Sequence, residues 1–431
     1  ASANNYTHPN HSGEVTSTAD GATVIAGNVV DEANLKVSNG PTNGYMLTAQ
    51  SGNTGGLTWA EAPSGAPLYA TNLDSATDPT ATGTNSVAIG SDAQATATNG
   101  SIAFGTATRA SGNANAAIGY QANAAGVGAL ATGYLANAAS DFSTAVGRNA
   151  KTATGSNATA LTNSYASGAD SFAAAIASNS SSYGAQGPSS IAMGYQAKTN
   201  TGADYALAIG HSAQSTGDYC VAIGYSTSAA QVASLALGYD STGNGSYGVA
   251  IGYQANCSAQ KSVALGDNTQ TSATNSFAFG KESKTQVLGK YAYAAGQFAA
   301  AGDAQGGQFV LRADTTDATA TVLTTNNSAA GSDDQIVAAS DTCITFDGTI
   351  TAMQNGAQAY ASWRIEGLLV NDGGTTTLAN SATTVIQNLS SWGMALTADN
   401  TNNALAITCT GEASHNIRWV ANIRTTEVTY A

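Results

Sequence analysis

Asp204 and Asp218 stand fourteen residues apart, each followed directly by a tyrosine. If the chain repeats at that interval, the two carboxylates lie in neighbouring layers. Carboxyl groups about 5–5.5 Å apart are the pair that a retaining glycoside hydrolase uses. The surroundings argue otherwise: both aspartates sit among small residues that read as exposed turns, and nothing suggests a cleft. No nucleophile–base–acid set occurs elsewhere. Of the four histidines, His8, His11, His211 and His415, only the first two are close, in "HPNH". Three copies of that pair meeting on an axis could hold a metal. An extended turn with solvated imidazoles is the plainer reading. Cys220, Cys257, Cys343 and Cys409 form no CxxC and have no histidine at ligand spacing. They read as small buried residues. The residue types predict no catalytic residue, no cofactor and no metal.

A different pattern does recur. "NSVAIG" (85–90) is followed by "GSIAFG", "NAAIGY" and "GALATG", and so onward. The glycines closing these steps are Gly90, Gly105, Gly119, Gly133, Gly147, Gly194, Gly210, Gly224, Gly238, Gly252, Gly266 and Gly280. Thr162 and Ala177 stand in for two more, and Gly296 closes the series weakly. Eight of the fourteen intervals are fourteen residues, and the slippage gathers between Gly147 and Gly210. Tyrosine follows the anchor at Tyr120, Tyr134, Tyr195, Tyr225, Tyr239 and Tyr253. Stacked layers would set these rings ~5 Å apart. Such a ladder could contact a receptor by stacking on sugar rings, or simply pack ring on ring.

A fixed period describes a shape before it describes chemistry. In "SVAIG", Val87 and Ile89 point to one face and Ala88 to the other. The glycine turns the chain, and a run of small residues such as "SDAQATATNG" returns it. One coil cannot bury its own apolar face, but a stack can. The large residues are expected inside. The alanines, as at Ala88, Ala103, Ala117, Ala208, Ala222 and Ala250, are expected as a stripe along which copies approach. Fifteen coils would make a rod on the order of 70 Å long. "SNSSSYGAQGPSS" (178–190) fills the longest interval and reads as a loop protruding from the stack, available to touch a receptor.

The fold class expected is all-β, in three zones. Residues 1–60 read as a β-rich connector, 61–83 as a proline-containing linker, 84–302 as the repeat, and 303–431 as an antiparallel sandwich resembling a jelly roll. The last zone alternates clearly. "NIRWVANIR" puts Ile417, Trp419, Ala421 and Ile423 on one face, and "SWRIEGLL" sets Trp363 and Ile365 against Arg364 and Glu366. Charged residues are only 9% of the 431, yet the formal net charge is −14. That balance excludes wrapping a nucleic-acid backbone. No apolar run reaches the ~18 residues of a membrane helix, so no membrane insertion is expected. The chain opens on "ASANNYTHPN", without a basic-then-apolar leader.

The region 84–296 resembles the head repeat of trimeric autotransporter adhesins of the YadA type. "SVAIGSDAQATATNG", "AIGYQANAAG" and "VAIGYQANCSA" carry the likeness. The resemblance implies a left-handed parallel β-roll and a homotrimer. No heptads follow Gly280, and "NIRWVANIRTTEVTYA" looks like a soluble strand rather than part of a membrane barrel. The flanks, "YTHPNHSGEVTS" and "GQFVLRADTTDATATVLTT", are similar to segments of tail fibres of tailed bacteriophages, cyanophages among them. Together these resemblances imply an extracellular fibre of a virion, joined to other tail or fibre proteins and attaching to a host cell-surface glycan or protein. A bacterial trimeric surface adhesin and a polysaccharide-degrading tailspike are the alternatives.

Overall fold

The computed structural model describes residues 15–17, 23–25, 37–40, 42–50, 52, 56–61, 77–176, 182–356, 359–388 and 392–430. The chain divides into two compact units, Ala1–Thr71 and Asn72–Ala431. His8 and His11 lie outside the described residues. The first unit holds two antiparallel pairs, Val15–Ser17 with Thr23–Ile25 and Tyr45–Ala49 with Leu57–Glu61. Asn39 Oδ1 accepts from the Trp59 N–H at 2.7 Å and the Thr58 hydroxyl at 2.9 Å.

The second unit begins as a solenoid. Each coil contributes one strand of three to five residues and one of two, such as Val221–Tyr225 and Ser228–Ala229. Strands of successive coils pair in parallel and in register, so Ala222 lies beside Ala236 and Ala236 beside Ala250. Fifteen short strands, from Thr80–Ala81 to Lys284–Thr285, form the return sheet. No helix occurs among the described residues.

The inside of the roll is the reverse of the sequence expectation. Ala103, Ala117, Ala131, Ala208, Ala222 and Ala250 are fully buried, and they face the small residues of the return sheet, such as Ala110, Ala124, Ala138 and Ala229. The larger residues flanking each alanine point outward: Val87 is 45% exposed, Ile102 43% and Phe104 51%. The physical reason is thickness. Sheets carrying full-sized side chains stack about 10 Å apart, but a coil closed in fourteen residues leaves room only for methyl groups between its two strands. Serine and threonine fit as well, and several pairs bond to each other across the gap, whereas the hydroxyls of Ser215, Thr227, Ser241, Thr269 and Ser283 are buried without a partner. Ser143 meets Thr152 at 2.9 Å, Ser190 meets Thr199 at 2.8 Å, and Ser262 meets Thr271 at 2.9 Å. Cys220 and Cys257 occupy the same narrow interior as free thiols.

The anchor glycines stack on one another. Gly238 has φ +128°, and a Cβ there would sit 2.1 Å from the carbonyl oxygen of Gly252 in the next coil. Both the backbone angle and the close approach therefore exclude a side chain. Two expected anchors move. Ala173 pairs with Ala192 and Ala174 with Met193, so Ala175 stands in the anchor column, while Ala177 lies outside the described residues. Gly280 pairs with Ala294, which closes the last coil in place of Gly296. The expected loop 178–190 is also shorter. Gly184–Ala185 is the return strand of its coil and pairs with Lys198–Thr199.

The larger sheet of the roll runs on into the C-terminal domain. Tyr291–Ala295 pairs in parallel with Phe277–Lys281 and antiparallel with Ala304–Thr315. Beyond it come Ile417–Thr429, Thr342–Gln354, Tyr360–Asp372 and Thr375–Asn388. A second small sheet, centred on Ala404–Thr410, covers one face of this one. The enclosed core includes Phe309, Phe346, Trp363, Ile365, Trp419, Ile423, Leu405 and Ile407. This is the alternation that the sequence displays at 417–424 and 363–366. The Trp419 indole N–H donates to Thr315 Oγ1 at 3.0 Å. Burial pushes the Cys409 thiol up to about 12, leaving an unreactive small core residue.

Where the roll meets this sandwich, Lys290 and Glu427 form a buried ion pair. Burial alone would raise the Glu427 carboxyl. The Lys290 ammonium, with hydrogen bonds from Lys290, Thr425 and Gln305, outweighs it and holds the group below its ordinary value. A carboxylate whose pKa is depressed by folding adds stability above its unfolded pKa and loses it as pH falls through the folded value. Wild-type melting temperature should therefore drop as pH is lowered below about 4.5, the ordinary glutamate value. Glu427→Gln should melt lower at neutral pH and lose part of that acid dependence. Glu427→Ala, which strands the ammonium, should cost about 3–5 kcal/mol in chemical denaturation. In the roll, Gly238→Ala should destabilise by at least ~1–3 kcal/mol from backbone strain alone. A thermal melt matching wild type would contradict the stacked-glycine geometry.

Candidate functional site

One strand of each coil presents its outer side to solvent, and three features lie across it. Val221 and Ile223, and their counterparts along the roll, make an apolar face. The residue after the anchor glycine ends the strand at one edge. The residue five before the anchor sits in a turn at the other edge.

The first edge carries the tyrosines that the sequence singled out. Tyr225 stacks on Tyr239 at 5.0 Å and Tyr239 on Tyr253 at 5.1 Å, with their planes within 10°. Tyr120 and Tyr134 form a separate pair at 5.3 Å. Tyr195 joins the longer run through His211, whose ring lies 4.9 Å from Tyr195 and 4.7 Å from Tyr225. His211 is thus a rung of the ladder, not an isolated imidazole. It follows Gly210, so its place in the column was the signal that would have found it. Beyond Tyr253 the column continues as Asp267, paired with Lys281 at 3.6 Å.

The opposite edge carries a second set that sequence reasoning passed over. Phe142, Tyr205, Tyr219 and Tyr247 all stand five residues before an anchor, and all have positive φ, between 54° and 58°. Tyr205 stacks on Tyr219 at 5.2 Å. These rings are more exposed than those of the first ladder.

The aspartates beside them have a structural task. Asp218 Oδ1 accepts the backbone N–H of Asp204 at 3.1 Å. Asp141 Oδ1 does the same for Val127 at 2.9 Å, and Asn113 Oδ1 for Asn99 at 3.2 Å. Since an uncharged carboxamide serves equally, the position calls for an acceptor and not for an acid. Asp218 is committed through Oδ1 to the backbone of the neighbouring coil. His415 lies 3.3 Å from Glu412 on the surface of the sandwich. Among the described residues no cluster of histidine, cysteine, aspartate or glutamate could hold a metal ion.

Comparison with known families identifies the repeat. Residues 81–108, 116–136, 124–150, 185–204, 202–227, 229–255 and 258–283 match the model of the YadA head domain repeat. The roll carries YadA head repeats. No curated protein matches the chain. The matched stretches include Tyr120, Tyr134, Tyr195, Tyr225, Tyr239 and Tyr253 and both described edges of the strands. YadA head repeats fit an adhesin-like, surface-exposed fibre.

Each stacked aromatic pair contributes about 0.5–1.5 kcal/mol beyond the area it covers. Tyr239 takes part in two stacks and Tyr253 in one with another ring. Tyr239→Ala should accordingly lower stability about twice as much as Tyr253→Ala in urea unfolding followed by circular dichroism.

Proposed function

We propose that the protein is the trimeric, adhesive shaft of a surface-binding fibre and that it works without catalysis. The observation that carries this reading is the outward apolar face. Val87, Ile102, Phe104, Ile118, Leu130, Val146, Ile191, Met193, Leu237 and Leu265 are all exposed on the single chain. Lined up in register over fifteen coils, they make a patch far longer than a soluble monomer ordinarily leaves uncovered. Three copies meeting on an axis bury all three faces at once and leave no open-ended contact. The YadA head repeat supports the same arrangement. The surface between copies is thus the valine–isoleucine face, and the alanine stripe is the interior of each roll.

The finer reading is a tail fibre of a tailed phage, extending from the virion and joined to other tail proteins. The resemblance of the flanking segments supports it. The YadA head repeat itself favours a second reading, a bacterial surface adhesin. In either, three C-terminal sandwiches carried together would turn weak contacts into avid attachment. Immunogold labelling of phage particles and of the bacterial envelope separates the two. The tailspike alternative requires release of oligosaccharide from host polysaccharide, and none is expected.

Ile223→Asp together with Leu237→Asp should give folded monomers, read by light scattering and circular dichroism. Ala222→Arg should instead disrupt the coil, because a charge enters a space sized for a methyl group. A wild-type chain that is monomeric and folded would overturn the trimer.

A further inference from the structure

The larger sheet of the sandwich ends on Thr375–Asn388, which pairs with Tyr360–Asp372 alone among the described residues. One end of its outer edge is closed. The Thr376 N–H donates to Asn400 Oδ1 at 2.7 Å, and the Thr376 hydroxyl donates to Asn403 Oδ1 at 3.2 Å. From Ala379 to Gln387 no described strand covers that edge, and all nine residues are exposed. A strand half-buried in a sandwich alternates, as Ile417–Thr429 does. Nine exposed residues in a row leave both faces as well as the edge open to solvent. They include Val385 and Ile386, 56% and 57% exposed.

Edge strands that stay alone are guarded by charge, proline or irregularity. The neighbouring strands carry charge, Arg364 and Glu366 on one, Arg418 and Arg424 on another. "TTTLANSATTVIQN" (375–388) has no charged residue, no proline and no glycine. Bulges at Ala379 and Ile386 interrupt the ladder, but between them Asn380–Val385 runs in regular register against Trp363–Leu368. Such a run is preformed to accept one more strand.

The charge pattern selects the occupant. A strand that captured a foreign chain would gain selectivity and rate from charge. A strand that meets its own copy avoids it, because like charges directly opposite repel, whereas facing threonines attract. On a chain of net charge −14, a neutral edge is where two copies can approach. An isologous contact sets the same strand on both sides of a two-fold axis. Antiparallel pairs alternate between two hydrogen-bonding types, so that axis passes through a residue and not between two. The centre of the exposed run is Thr383. Thr383 then faces itself, Ala382 faces Thr384 and Ser381 faces Val385.

We infer that Ala379–Gln387 is the docking edge for the same strand of a second copy, paired antiparallel about Thr383. The contact goes beyond the trimer reading: its axis is two-fold, and it joins the sandwich of one assembly to that of another. So short a ladder is weak alone, and pairing grows with concentration.

Thr383→Cys in the full chain tests the register. Opposed Cα atoms lie about 4.5–5.5 Å apart, within the ~4.4–6.8 Å that a disulfide spans. Oxidation should give an interchain dimer on non-reducing denaturing gels, at least about tenfold faster than with Gln387→Cys, which faces Ala379. Thr383→Lys and Thr383→Glu test the contact by light scattering at high concentration. The wild type should have at least about twice the mass of either variant. An equal mixture of the two should recover that mass, with circular dichroism unchanged throughout. The ratio decides the strand, and the variants' own mass decides the trimer: three chains support it and one chain removes it, whatever the ratio. Equal masses for wild type and folded Thr383→Lys, a mixture that stays apart, or cross-linking no faster at 383 than at 387 would overturn the pairing.

Discussion

The gap between the two sheets of the roll admits a methyl group and little more. Most of the molecule follows from that limit. Alanine becomes the core residue, with serine, threonine and cysteine as substitutes of similar size. Most larger apolar side chains of the roll are driven outward, Ile176 being a buried exception. A column of valine, isoleucine, leucine and phenylalanine then lies on the surface of a single chain. The stacked glycines hold a backbone angle at which, as at Gly238, a Cβ would run into the carbonyl of the next coil.

The continuous sheet gives the outer face a change of character along its length. Through the roll it is apolar. In the last coils it turns aromatic, with Phe277 on Tyr291 at 5.0 Å and Phe279 near Tyr293 at 4.6 Å. Past the junction the same side becomes charged, with Arg424 and Asp347 at 2.7 Å and Arg418 and Asp314 at 3.3 Å. An apolar outer face along the roll thus passes into a charged one on the sandwich without a break in the strand ladder. Glu427 and Lys290 hold the corner between them, satisfied on both sides and shielded from water.

Much of this was legible in the residues. The fourteen-residue period, the glycine column, the tyrosines after it and the alternation of Ile417, Trp419, Ala421 and Ile423 all correspond to observed features. The sense of inside and outside in the roll was not legible. Period two says that Val87 and Ala88 face opposite ways but not which way is in, and the habit of burying the larger residue fails where the interior is too thin for it. The shifts at Ala175 and Ala294 escaped because pairing register, not the glycine itself, marks the end of a coil. His211 and the second ladder escaped for different reasons. His211 differs chemically from its column, and left-handed turns holding tyrosine look like ordinary loop in a string of letters.

The direction of the hydrogen bonds in the roll has a mechanical consequence. Because coils stack through their backbone ladders, those bonds run along the rod, and an axial pull loads every bond of one coil boundary together. Yielding at a boundary would free a single fourteen-residue coil, which extends to roughly 46–50 Å of chain from a layer of ~5 Å. Such a shaft is stiff until it gives. It then lengthens in discrete steps, each absorbing work while the remaining coils stay closed.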